Sequence, residues 1–226
     1  MYQCRDGVHK RKVFCRTHLE PFEKEAVDNL KEYLRKKAPN IHYPDELLLR
    51  FNYAGRFQMS EVNEQVRLYD KWHQNQIITV LGRQGKEILE QGHVYSYGRD
   101  YQYCPVIILR PYRVDLKKYT YDHYLNALHA LLQPLEEYML YPGVIEKWNL
   151  LIDFENRAFK NSTQAKTEVK CISYAYPYRL KRVFLLNAKK SQESVTTIRE
   201  LLTETNSDCE VVEVKQEGLM QYMGED

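Results

Sequence analysis

The sequence predicts an α/β domain built on a mostly parallel open sheet covered by helices, preceded by a small helical subdomain. Two observations carry this expectation. Val183-Phe184-Leu185-Leu186 is a bulky apolar run without polar alternation, the mark of a strand buried on both faces, as parallel strands are beneath crossover helices. Apolar stretches at 148–154, 182–187 and 209–214 alternate with segments of three-to-four spacing. Strand and helix in that order imply right-handed crossovers within one sheet.

Taken in order, residues 1–20 carry Arg5, Lys10, Arg11, Lys12 and Arg16 without periodicity, and read as a basic extension or docking arm. Residues 21–75 form the helical subdomain. Phe22, Ala26, Leu30 and Leu34 recur every four residues up to Lys37, a second helix runs from Asp45 through Phe51, and Ser60 caps a third bearing Val62, Val66, Tyr69 and Trp72. Residues 76–226 form the sheet domain. His93–Tyr97 and Pro105–Leu109 read as strands joined by a turn at Gly98-Arg99-Asp100. A long helix follows from Tyr121 to Met139 with Pro134 as a kink, then a strand from Trp148 to Phe154 and a helix over 162–176. The strand 182–187, a helix with Val195, Ile198, Leu201 and Leu202, and a strand from Cys209 to Val214 complete the pattern.

Composition excludes several classes of function. A formal net charge of +2 on 226 residues gives no electrostatic reason to expect nucleic acid. Five scattered cysteines imply no disulfide framework and suit a reducing, intracellular compartment, cytoplasmic or peripheral on a membrane, the mitochondrion included. Tyrosine is abundant, 19 against 7 Phe and 2 Trp, and suits half-buried surfaces, pockets and interfaces. Cys4, His9, Cys15 and His18 match no standard zinc spacing. Gly82-Arg83-Gln84-Gly85-Lys86 lacks the spacing of a phosphate loop and reads as an ordinary loop. His123 and His129 lie off-face from one another on their helix and read as surface or half-buried polar residues. No nucleophile-base or paired-carboxylate order suggests catalysis.

Several segments resemble one known family. Tyr176-Pro177 followed by a basic turn and an apolar strand ending at Asn187-Ala188 is similar to the signature of the CRAL-TRIO (Sec14-like) lipid-binding domain. Leu48-Leu49-Arg50-Phe51-Asn52-Tyr53-Ala54-Gly55-Arg56-Phe57 resembles that family's N-terminal helical signature. Gly98-Arg99-Asp100 with Pro105-Val106-Ile107-Ile108, and Leu150-Leu151-Ile152-Asp153-Phe154, are similar to its strands in the same order. The resemblance implies helices on one side of an open sheet and an apolar cavity, closed by a mobile gate helix, that holds one lipid or other hydrophobic molecule. No metal or cofactor is implied beyond such a ligand.

The expected walls are Val106, Ile108, Leu150, Ile152, Phe154, Val183 and Leu185, with Tyr174, Tyr176, Ile198 and Leu202 closing the cavity. Lys181, Arg182, Lys189 and Lys190 bracket one strand and are the candidates for contact with an anionic membrane surface. The gate span, Lys189 to Asp208, contains no aromatic residue. Its apolar stripe suffices to pack on a sheet but not to enter a bilayer. Glu200 stands where the family's phosphoinositide binders carry a lysine, opposite Glu168 or Thr167, which argues against that headgroup. Two functions follow: a non-catalytic binder of a lipid or other apolar ligand, or an accessory or scaffold subunit of a larger assembly that has lost lipid exchange.

Overall fold

The structure is a computed structural model describing residues 2–3, 9–76, 81–113, 118–158, 162–205 and 208–223. Two short strands, β1 (Tyr2–Gln3) and β2 (His9–Lys10), pair antiparallel. Helix α1 (Pro21–Lys37) begins with proline, which needs no N–H there. A capping box between Glu20 and Glu23 closes its first turn, and Arg35, Lys36 and Lys37 complement the dipole in its last. Helices α2 (Asp45–Ala54) and α3 (Met59–Gln76) fold beside it. Val27, Leu30, Leu48, Leu49, Phe51, Val62 and Val66 meet in one core between the three.

Gly55 sits where α2 hands over to α3, and a Cβ there would lie 2.5 Å from the backbone nitrogen of Val62. Because backbone cannot yield as a side-chain tip can, Gly55→Ala should cost about 1–3 kcal/mol. Urea unfolding reads this directly, and an unchanged midpoint would show that the two helices are not held so closely.

The basic arm is not free as far as it is described. Arg11 and Phe14 are buried. The Arg11 guanidinium pairs with Glu23 at 2.6 Å and donates to the His18 carbonyl, while Phe14 lies edge-on to Tyr53 and Tyr178. Arg11 and Phe14 are thus seated in the chain's own fold, within the stretch that the sequence reads as an extension or docking arm.

A second correction concerns 82–86. Residues Arg83–Glu90 form helix α4, with Ile88 fully buried. Gly85 faces the Leu81 side chain and approaches the backbone of Ala127, so packing overrides the weak helix preference of glycine.

Strands β3 (Val94–Arg99) and β4 (Pro105–Leu109) form the antiparallel hairpin. Its loop lies later than expected, because β3 continues through Arg99 by way of an irregularity at Gly98, φ +62°. Helix α5 (Tyr121–Pro134) widens after its proline into a π-helical turn at Leu135–Met139, the form the kink takes. Then follow β5 (Trp148–Asp153), α6 (Ser162–Ala175), β6 (Leu180–Leu186), α7 (Gln192–Thr205), β7 (Glu210–Val214) and the single turn α8 (Gln216–Leu219).

The five strands lie in the order β3-β4-β5-β6-β7, parallel from β4 onward. One face carries Ile107, Leu109, Trp148, Leu150, Ile152, Val183 and Leu185, packed with side chains from α4 to α7. The other carries Val106, Leu151, Phe184 and Leu186, packed with Leu219, Tyr222 and Met223. A two-faced apolar sheet is what the unalternating run in β6 required. Among the described residues, no helix is long and apolar enough to cross a membrane.

Candidate functional site

The site implied by the strand run lies between the sheet and its helices. Tyr176 closes α6 and turns inward, where its ring stands 5.3 Å from Trp148 and its hydroxyl meets His129 Nδ1 at 2.8 Å. Pro177 ends the helix, and Tyr178 takes a left-handed backbone at φ +58°, costly for a bulky residue. Its ring drops into the N-terminal helical core. The chain then enters β6 at Leu180.

Leu150, Ile152, Phe154, Tyr176, Val183, Leu185, Ile198 and Leu202 share one apolar interior under α5, α6 and α7. Val106 and Ile108 do not join them. They lie on the opposite face of the sheet, because successive residues of β4 alternate sides. Tyr174 is also elsewhere, on a shallow hollow with Ala54, Arg56, Ser60 and Gln65 beside the start of α3. The shared interior is closed by α7, whose Val195, Ile198, Leu201 and Leu202 are all buried.

A polar strip runs along the edge of this interior. His73 Nε2 lies 3.2 Å from the Ala175 carbonyl, and the His73 and His129 rings are 6.2 Å apart with Trp72 beside them. Burial and then the neighbouring His73 hold His129 below the ordinary imidazole range. The His129–Tyr176 pair spans 47 residues, so nothing local in the sequence announces it.

Comparison with known families decides the class. A family model described as "CRAL/TRIO domain" matches residues 89–225, more than half of the 226-residue chain. The chain belongs to the CRAL/TRIO family. That family is one of domains that bind lipids or other hydrophobic ligands. No curated relative matches the chain.

In this CRAL/TRIO domain the four expected surface cations do not form one patch. Lys181 pairs with Asp100, and Arg182 donates to Glu210 at 2.6 Å, both at the start of β6. Lys189 and Lys190 are exposed beyond its far end, roughly 20 Å away along the strand. That separation exceeds the screening length of physiological salt, about 8 Å. Each pair therefore acts alone.

The two ends of the CRAL/TRIO sheet are both hollow. At the start of the parallel strands, about 490 Å³ is lined by Lys12, Gln102, Cys104, Val144, Lys147 and Asp208, among others. Lys147 is buried there, 3.1 Å from Asp208; burial lowers its pKa and Asp208 pulls it back. At the far end, about 590 Å³ lies among Asn187, Lys189, Gln192, Glu213 and Lys215. Among the described residues, no group of His, Cys, Asp or Glu side chains could hold a metal ion, while Cys4 of the N-terminal set lies outside them. Glu200 is exposed on α7, and the side chains of Thr167 and Glu168 fall outside what is described.

Proposed function

We propose that this CRAL/TRIO domain binds one lipid or other hydrophobic molecule between its sheet and α7, without catalysing a reaction on it. The observation that supports the reading is the convergence of five expected wall residues and three expected closing residues on one apolar interior with α7 as its cover. α7 roofs that interior with Val195, Ile198, Leu201 and Leu202 buried, so the proposed ligand enters by displacing α7 outward. Exposing Val195, Ile198, Leu201 and Leu202 costs about 1.5–3 kcal/mol each, roughly 6–12 kcal/mol together. At about 0.8 kcal/mol per buried CH₂, roughly 8–15 methylenes offset that cost. A ligand of acyl-chain size fits the balance, and a small apolar molecule does not.

The outer surface of α7 shapes how such a ligand would be handled. Glu193, Thr196, Glu200 and Thr203 are exposed there, and a polar helix gains little from a bilayer. The proposed protein holds its ligand rather than shuttling it between membranes. The same polar surface favours a second reading, in which the domain serves as an accessory subunit of a larger assembly.

Organic extraction of the natively purified chain followed by mass spectrometry separates the two. A stoichiometric apolar molecule, with slow release to acceptor vesicles, is the expected result. Ligand-free protein that also fails to bind a fluorescent acyl-chain probe would end the first reading, and its recovery only within a larger particle would favour the second.

A further inference from the structure

Among the described residues, the exposed aromatic side chains are concentrated on one end of the molecule. Tyr97, Tyr101, Tyr103, Tyr138 and Tyr141 are 62%, 59%, 68%, 75% and 66% exposed, with Val144 and Met220 also open to solvent. They come from three segments that are tied together. Arg99 donates to the carbonyls of Tyr103, at 2.7 Å, and Met139, at 3.0 Å, joining the β3–β4 loop to the π-helical turn. The Tyr101 hydroxyl donates to the Met220 carbonyl at 3.0 Å, joining the same loop to the C-terminal segment. Gln102 and Val144 line the same hollow, which brings the loop before β5 into the surface.

The display is rigid. Asp100 Oδ1 accepts from the backbone nitrogens of Gln102 and Cys104 at 2.9 and 2.8 Å. Tyr103 is held at φ +61°, a conformation that a bulky residue adopts only when its surroundings impose it. A surface ordered in advance loses little conformational entropy when it is covered.

Area and charge indicate what covers it. At about 200 Å² per tyrosine the five present roughly 650 Å². Val144 and Met220 extend this toward the ~800 Å² a side of a standard interface. Lys147, Lys181 and Arg182 beside the patch are each paired with an acid, Asp208, Asp100 and Glu210. Arg99, which donates to the Tyr103 and Met139 carbonyls, and Glu137, exposed beside Tyr138, add one further charge of each sign, so the face has no strong net charge to draw an anionic bilayer or to repel its own copy. A tyrosine hydroxyl both donates and accepts, so a tyrosine surface complements itself across a two-fold axis. β3, which carries Tyr97, is also an edge strand with a neighbour on one side only.

We propose that this tyrosine face is a self-association surface on which a second copy of the chain docks about a two-fold axis. Sedimentation velocity of the purified full chain, from nanomolar to about 100 µM, is the test. A concentration-dependent dimer is expected. Tyr138→Ser and Tyr141→Ser should each weaken it about tenfold, and Ile41→Ser, exposed in the connection between α1 and α2, should leave it unchanged, with far-UV circular dichroism showing all three folded. A monomer at the highest concentration overturns the proposal, as does a dimer indifferent to both tyrosine variants. Tyrosine-dependent flotation of a monomeric chain with phosphatidylcholine vesicles would also overturn it, and would assign the face to a membrane.

Discussion

Replacing Glu146 with alanine should lower the stability of the chain by about 3–5 kcal/mol in urea unfolding. The carboxylate is buried at a junction of three segments. It pairs with Arg50 of α2 and accepts backbone N–H groups from Phe14, Cys15 and Gly143 at 2.9, 2.8 and 2.8 Å. Burial pushes its pKa upward, but Arg50 and those three donors outweigh burial and hold it below the usual carboxylate range. Its contribution is thus complete above the unfolded pKa and is lost as pH falls through the lower folded one. In the alanine variant the Arg50 guanidinium is left under the Phe14 ring, and burial and Arg179 already oppose its charge. Adding Arg50→Met should recover only part of the loss, because one buried and two partly buried N–H groups stay without their acceptor. A single-variant loss under about 1 kcal/mol would show that the junction is not held this way.

His93→Leu should act in the opposite direction. The imidazole is fully buried, 4.8 Å from the Tyr124 ring, and neither of its nitrogens has a hydrogen-bond partner among the described residues. Burial lowers its pKa to about 4 from 6.5; the nearby Arg110 backbone opposes this, but it is too poorly placed to satisfy either nitrogen. Between those values the unfolded chain takes up a proton that the folded chain refuses, so stability falls as pH drops from 6.5 to 4. The shift corresponds to about 3 kcal/mol over that range. Leucine removes both the desolvated imidazole and the proton linkage. The variant should be more stable at neutral pH and less pH-dependent over that range. Equal slopes for the two proteins across pH 4–6.5, measured by urea midpoints, would show that His93 takes up its proton as readily in the folded chain as in the unfolded one.

Strand positions were legible where bulky runs are bounded by Pro, Gly or Asn, as at β6 between Pro177 and Asn187. Which side of the sheet each residue faces was not legible, because a strand apolar on both sides carries no alternation. That is why Val106 and Ile108 stand apart from the interior joined by Leu150 and Val183. Helix α4 was hidden by two glycines and three charges within a few residues, and only its packing against α5 shows why it forms. The seating of Arg11 and Phe14 was hidden for a similar reason. Arg11 and Phe14 find their places through Glu23, Glu146 and Tyr178, and partners 132 residues away or more leave no local pattern. Tyrosine abundance was visible in composition, but its gathering at one end depends on how three loops meet.

Tyr176 and Tyr178 stand two residues apart on either side of Pro177, and each belongs to a different core, one under the sheet helices and one among α1 to α3. Proline fixes the bend between them, so neither ring can leave its seat without straining the other. The pair works as a rivet between two layers, and the chain has no cheap way to lose its N-terminal helices while keeping the sheet. Cooperativity between the two layers thus runs through three consecutive residues as well as through the Glu146–Arg50 pair.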